Sequence, residues 1–408
     1  MRKLILLLLS LTVSVAIADP LTVSVLLTPN QRSTYETVFA DFSKETGIAV
    51  KAVLKKDAAY KYMLTQWLIA GKDTPDILHW QASERLYFFS RQGVLHPLTE
   101  LWNAEGLDSQ FSKVKHAVED KGEVYALPIS YYHWGIYYNK SLLERYGPPP
   151  ETWEQFIEIC ARIKRDGITP LAIGTKHQWP AAAWFDYINL RVNGLAFHQQ
   201  LLNGKISFRD KRVIAVFEYW KQLIDADLFN PATSDFDWDE VVPLLYHQQA
   251  AFTLIGNFVA PKWPQHIIDN IGFMPFPKIA SIARAEEAPM EVFMIAANTD
   301  QRQNAEAFIR YMARPEVQSK LNGELGYLSP NSNSIHSDDR FIQAGAELLK
   351  SASGISQYFD RDTKHNFEVL AIPLLAEFLQ HGDIARVTIE LEQVRKLSFP
   401  QQPQSSTQ

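Results

Sequence analysis

The sequence predicts an α/β fold, with sheets covered by helices on their faces. Three observations carry this. Short apolar strand runs alternate with amphipathic helix patterns from the N-terminus onward, which is the signature of a mainly parallel sheet flanked by helices. The chain has 408 residues, enough for two or more domains or one large α/β body. Hydrophobic residues make up 46%, enough for a sizeable core and too many for a disordered chain.

The first eighteen residues read as a leader. Arg2 and Lys3 form a short positive region, Leu4 to Val15 is apolar, and Ala16-Ile17-Ala18 is a small-x-small cleavage site. That is a secretory signal peptide pattern. The run is shorter than the roughly 20 apolar residues of a membrane span, so cleavage after Ala18 is expected. No cysteine stands at the cleavage site, so no lipid anchor is expected there. Without Arg2 and Lys3 there are 38 basic residues against 46 acidic ones, a formal charge of −8. No long basic run exists, which argues against a nucleic-acid partner. Cys160 is the one cysteine, so no internal disulfide forms despite export, and it reads as a small core residue.

In the mature chain, Leu21 to Leu27 is the first strand. A helix over Tyr35 to Thr46 follows, ended by Gly47. Ile48 to Leu54 is the second strand and Tyr60 to Ala70 the second helix. Pro75 leads into Asp76 to Trp80, a third strand, and a helix over Ser83 to Gln92. Ligands of such sheets sit beyond the C-terminal ends of strands, which draws attention to Thr28–Gln31 and Trp80–Ser83. Thr152 caps a helix over Trp153 to Asp166, with Trp153 in the core. Ile168 to Ile173 is a strand, and helices run over Trp179 to Asn193 and Arg212 to Ala226. Ala250 to Ile255 is a strand ending in Gly256-Asn257-Phe258. Ile271 to Pro277 is a strand into a proline-marked exit, Val292 to Ala297 is an apolar strand, and further helices complete the body. Residues 400–408 form a Gln/Ser/Pro tail expected to be disordered.

The stretch Tyr125 to Gly147 is unusual. Between Pro128 and Pro148 stand Tyr131, Tyr132, His133, Trp134, Tyr137 and Tyr138. Tyr and Trp combine an apolar face with a polar edge, which suits a wall holding a half-polar ligand. The plainer reading is a strand whose alternate rings fill two cores.

Four segments, in order, resemble the extracellular solute-binding proteins of carbohydrate-uptake ABC transporters, the maltose- and multiple-sugar-binding type. They are Thr74-Pro75-Asp76-Ile77; then Pro128-Ile129-Ser130 with Gly135 to Asn139; then Ala250-Ala251-Phe252 through Phe258, Gly272-Phe273 and Pro275-Phe276-Pro277. The fourth takes in Val292 to Ala297, Ala307-Phe308, Pro315 to Gln318, Gly326-Tyr327 and Ser329-Pro330. Two departures stand out. Arg145 replaces the Lys, Asn, Asp or Glu of the signature, and Pro289-Met290-Glu291 replaces a Gly-Gly pair before a ligand-wall residue.

The resemblance implies a two-lobed periplasmic binding protein fold, each lobe a mainly parallel sheet flanked by helices, with ligand held in the cleft between them. One lobe would take residues 19–129 and 289–333, and the other 134–284 and 340–399. Hinge crossings would lie at 130–133, 285–288 and 334–339. It further implies a periplasmic monomer, not itself membrane-spanning, that delivers a mono- or oligosaccharide to an inner-membrane ABC transporter permease without a cofactor or metal.

A sugar site needs aromatic faces beside planar polar side chains, and every buried polar group must find a partner. The candidates are Trp80 and Gln81 at a strand end, Tyr131, Tyr132, His133 and Trp134 at the hinge, and Trp179 with Asp186 on one helix. Trp238, Asn257, Glu291 and Arg361 complete the set. Trp179 and Trp184 lie five residues apart, on different helix faces, so one of them can be core. Each ring has the alternative of filling a core, and Asp360-Arg361-Asp362 that of a solvated ion cluster. Two functions from other classes stay open. One is an exported glycoside hydrolase or lyase, for which Asp186 and Glu291 would have to face each other at roughly 5–9.5 Å. The other is a sugar-sensing subunit of a membrane receptor kinase.

Overall fold

The structure, a computed structural model, describes residues 19–27 and 31–400, apart from the side chains of residues 261 and 262. The leader, Thr28–Asn30 at the first strand end, and residues 401–408 of the tail lie outside the described residues.

Two sheets form two lobes. The first sheet has the order Val50–Lys56, Leu21–Leu27, Ile77–Gln81, Met290–Ala296, Leu95–His96, with Leu127–Tyr131 also paired to Met290–Ala296. The second has the order Ile271–Met274, Trp134–Asn139, Ala250–Gly256, Thr169–Leu171. Helices cover both, as strand–helix alternation requires.

The sheets are mixed, which corrects the expectation of mainly parallel ones. In the first, Leu21–Leu27 pairs parallel with both neighbours, whereas Met290–Ala296 is antiparallel to all of its partners. In the second, only Ala250–Gly256 with Thr169–Leu171 is parallel. The reason is the chain crossings. Met290–Ala296 and Trp134–Asn139 each enter their lobe from the other one, so they start where neighbouring strands finish.

Three passages join the sheets. Leu127–Tyr131 belongs to the first sheet and Trp134–Asn139 to the second, so the chain crosses at Tyr132–His133. Ala285–Glu287 runs parallel to Gly354–Ser356 as a two-stranded ribbon before Met290 enters the first sheet. The third leads from Leu328, bridged to Tyr131, to the helix Arg340–Ser351. Gly345 of that helix lies against His133, where a Cβ would overlap the imidazole. A glycine inside a helix costs about 1 kcal/mol relative to alanine; here it admits the crossing.

Local signals account for other elements. Thr152 and Gln155 form a reciprocal capping box at Trp153–Arg165. Trp153 is buried and donates its indole N–H to Gln222 at 2.8 Å. Cys160 is buried, and burial pushes its thiol well above the usual range, so it is an inert core residue. Among the described residues no helix is long and apolar enough to cross a membrane.

Candidate functional site

Between the lobes lies a cavity of about 830 Å³, counting its open mouth. Its first-lobe wall begins at the strand Ile77–Gln81. Side chains alternate along a strand, so His79 and Gln81 face the cavity while Trp80 turns away. Trp80 instead stacks near Tyr60, meets Phe89 edge-on, and donates Nε1–H to the Arg85 carbonyl at 3.1 Å. Parity alone forbids Trp80 and Gln81 from sharing one face, and the candidate set named both.

The same alternation sorts the aromatic crossing. Tyr132 and Trp134 line the cavity; Tyr131 and His133 do not. Tyr131 is half-buried and bonded through its backbone to Leu328. His133 packs edge-on against Phe273, and burial lowers its imidazole to about 3. Its Nε2 lies 3.3 Å from the Tyr137 hydroxyl.

Phe258 is the hub of the second-lobe wall. Trp134, Trp179 and Trp238 all meet it edge-on, at 5.6, 6.2 and 4.9 Å between centroids, and so does Tyr132 at 5.3 Å. Edge-to-face contact is a favoured geometry for such rings. Gly256 lets this cluster form, since a Cβ there would come within 2.6 Å of both Trp134 Nε1 and the Phe258 ring. Gln178, just before Trp179, sits at φ 65°, a left-handed conformation rare for a non-glycine residue. Trp184 is core, against Phe229 and Phe276.

The polar floor comes from distant segments. Glu291 sits at a register shift between Met290–Ala296 and Leu127–Tyr131, opposite Gln81. Such bulges re-aim side chains beside sites. Arg361 Nη2 donates to Glu291 Oε1 at 3.1 Å and to the Tyr132 hydroxyl at 2.8 Å. Arg361 is held well above its ordinary range by Tyr132, Glu291 and Asp360, against the cost of burial. Lys61 pairs with Asp57 at 3.0 Å, and Asp360 with Arg85 at 3.0 Å. Each of these cavity acids therefore has a cation beside it.

Two further candidates, Asn257 and Asp186, lie away from the cavity, as Trp80, Tyr131 and His133 do. Asn257 accepts from the Tyr137 hydroxyl at 2.6 Å and donates to the Gly326 carbonyl, clamping the end of the inner strand Ala250–Gly256 to the first lobe. Asp186 is fully buried behind the wall, where it accepts the Phe359 N–H at 2.8 Å. With Glu287 it forms a buried acidic pair, and burial and mutual repulsion push Glu287 well above the usual carboxylate range. Burial also pushes Asp186 up, opposed by the Phe359 N–H and aided by Asp360 and Asp362. His198 lies 3.8 Å from an oxygen of each.

Seven candidates thus meet at the cavity: Gln81, Tyr132, Trp134, Trp179, Trp238, Glu291 and Arg361. Sequence reasoning missed His79, Phe258, Tyr327, Tyr358 and the Asp57–Lys61 pair. His79 was findable as the strand residue in phase with Gln81. Tyr358, 4.3 Å from Trp134 between centroids, carries no local signal. Among the described residues no cluster of His, Cys, Asp or Glu could hold a metal ion.

Residues 28–319 match the family model for bacterial extracellular solute-binding proteins. The chain belongs to that family. It is 26% identical over 283 residues to an ABC transporter extracellular-binding protein of Pyrococcus horikoshii, a match covering 67% of this chain and 62% of that relative. It is 26% identical over 350 residues to the melibiose/raffinose/stachyose-binding protein MelE of Bacillus subtilis, covering 83% and 79% of the two chains. The solved structure of the solute receptor AcbH, described as having an exclusive preference for β-D-galactopyranose, superposes with a TM-score of 0.88 at 23% identity, over 93% of this chain and 98% of that one. A chitin oligosaccharide binding protein superposes at 0.85 and 20% identity, over 93% and 98%. These likenesses establish the shared two-lobed fold.

Proposed function

We propose that this member of the family is a non-catalytic periplasmic receptor that captures a neutral carbohydrate between its lobes and delivers it to an ABC transporter permease. The observation that carries this is the wall itself: rings from both lobes surround polar groups whose charges are already compensated inside the protein. Ring faces suit the C–H surfaces of a sugar, and planar side chains suit its hydroxyls. A charged ligand would need an unmatched counter-charge, and Asp57, Asp360 and Glu291 each have a cationic neighbour. Relatives named for melibiose, raffinose and stachyose, or for multiple sugars, support the same reading.

In this reading Gln81, Tyr132, Trp134, Trp179, Trp238, Glu291 and Arg361 contact the sugar, and the passages at 130–133, 285–288 and 334–339 are the hinge. Cleavage after Ala18 releases the mature chain to the periplasm as a monomer. The hydrolytic alternative has less support, since Asp186 does not line the cavity with Glu291. Release of cleavage products from maltose, raffinose or xylobiose by the purified protein would overturn the non-catalytic reading.

The test is a melting-temperature and tryptophan-fluorescence panel of D-galactose, D-glucose, melibiose, raffinose, maltose, xylobiose and chitobiose. A ligand that binds only the folded state at 100 times its Kd stabilises by about 2.7 kcal/mol, so a clear upward shift is expected for at least one sugar. No shift with any of them rejects the carbohydrate reading.

A further inference from the structure

One hydrogen-bonding pair in the cavity wall is unused by the protein. His79 Nδ1 accepts the Leu26 backbone N–H at 3.3 Å. A neutral imidazole has one donor and one acceptor nitrogen, so its proton resides on Nε2. That Nε2 is buried and has no hydrogen-bond partner. Glu291 Oε2, 3.7 Å away, is likewise buried and without one. The separation is too long for a direct hydrogen bond. The other oxygen, Oε1, already accepts from Arg361 and Tyr132, at 3.1 Å each. An unmet donor and an unmet acceptor therefore stand side by side on the cavity wall.

We propose that His79 Nε2–H and Glu291 Oε2 together read a single hydroxyl of the bound sugar and make that position a determinant of specificity. This rests on the carbohydrate reading above and deepens it. The hydroxyl oxygen accepts from Nε2–H and its own hydrogen is donated to Oε2. Few other substituents do both from one atom. A hydrogen in its place leaves two buried groups unpaired. A fluorine or a methyl ether cannot donate. A carboxylate meets the Glu291 charge, and an ammonium has no lone pair for the imidazole N–H. The site therefore takes a sugar that is neutral and unsubstituted at this hydroxyl. Burial keeps the imidazole down at about 4, so the donor is in its neutral form at pH 7.

Isothermal titration of the full-length mature protein with D-galactose, D-glucose, raffinose and maltose, and with the monodeoxy forms of whichever of them binds, tests this. For the sugar that binds, one deoxy position is expected to weaken binding by about tenfold to a hundredfold more than the others. His79→Asn keeps an acceptor near Nδ1 and lacks the Nε2 donor. It is expected to bind the parent sugar as poorly as wild type binds that deoxy form, with little further loss on the deoxy form itself. His79→Gln, whose amide N–H reaches the Nε2 position, is expected to recover most of the affinity. Equal losses across all deoxy positions in His79→Asn would mean a structural role only, and would overturn the proposal. So would a wild-type protein that tolerates every monodeoxy form, a result that needs no variant to fold. If no sugar in the series binds wild type, the carbohydrate reading itself falls, an outcome distinct from sugar binding without a privileged hydroxyl.

Discussion

Arg361 and Glu291, 70 residues apart in sequence, meet at 3.1 Å within the cavity wall and tie the C-terminal segment to the first sheet. Both are buried. Removing one partner of a buried pair leaves an uncompensated charge and costs about 3–5 kcal/mol, whereas replacing both with apolar residues is often neutral. Arg361→Met should therefore lower stability in urea unfolding by about that much, and Arg361→Met with Glu291→Met should regain most of it. A single variant as stable as wild type would show that the pair is not closed in solution.

Gly345 has a packing reason. A methyl group there would overlap the His133 ring. Gly345→Ala should destabilise by about 1–3 kcal/mol, the cost of overpacking, despite alanine's better helix propensity. A stabilised variant would mean that His133 lies elsewhere.

Trp80 and Trp238 should separate stability from binding. Trp80 is buried behind the strand, so Trp80→Ala should cost about 3–5 kcal/mol of stability. The sugar affinity of the folded fraction should change little. Trp238 is half-buried at the cavity. Trp238→Ala should leave the melting temperature within a few degrees and weaken sugar binding about tenfold, equivalent to ~1.4 kcal/mol. The reverse pattern would place Trp80 rather than Trp238 at the cavity.

Glu287 should make stability fall as the pH rises. Burial and the neighbouring Asp186, Asp362 and Glu286 push its carboxyl up, while Arg191 pulls it down. A carboxyl raised on folding contributes fully below its unfolded value, near 4.5, and that contribution is lost as the pH climbs through the folded value. Glu287→Gln carries no charge at any pH. It should therefore gain stability on wild type as the pH rises above about 4.5, with no such gain at lower pH. Melting curves at several pH values report the gap; one that stays constant would place Glu287 in contact with water.

Much of the fold is readable locally. Strand–helix alternation and the Thr152 cap follow from patterns within a few residues of each other, whereas a crossing before Trp134 is what the family resemblance implies. The sheet directions were misjudged because alternation describes an uninterrupted lobe, and Met290–Ala296 returns from another one. At the site, residue type was the better guide and facing the poorer one. Tyr132 and Trp134 line the cavity while Tyr131 and His133 turn away, which the period of two allows but does not orient.

The sequence alone determined the α/β class, the leader pattern, the family and the aromatic stretch around which the cavity is built. Each rests on residue identity or short-range periodicity. Only the tertiary structure decided that His79 and not Trp80 faces the cavity, that Tyr358 and Arg361 reach it from the C-terminal segment, and that Asp186 stays behind the wall. A strand's inward face is set by the side on which the other lobe docks. Contacts such as Tyr132 with Arg361, 229 residues apart, exist only once the chain has crossed between lobes.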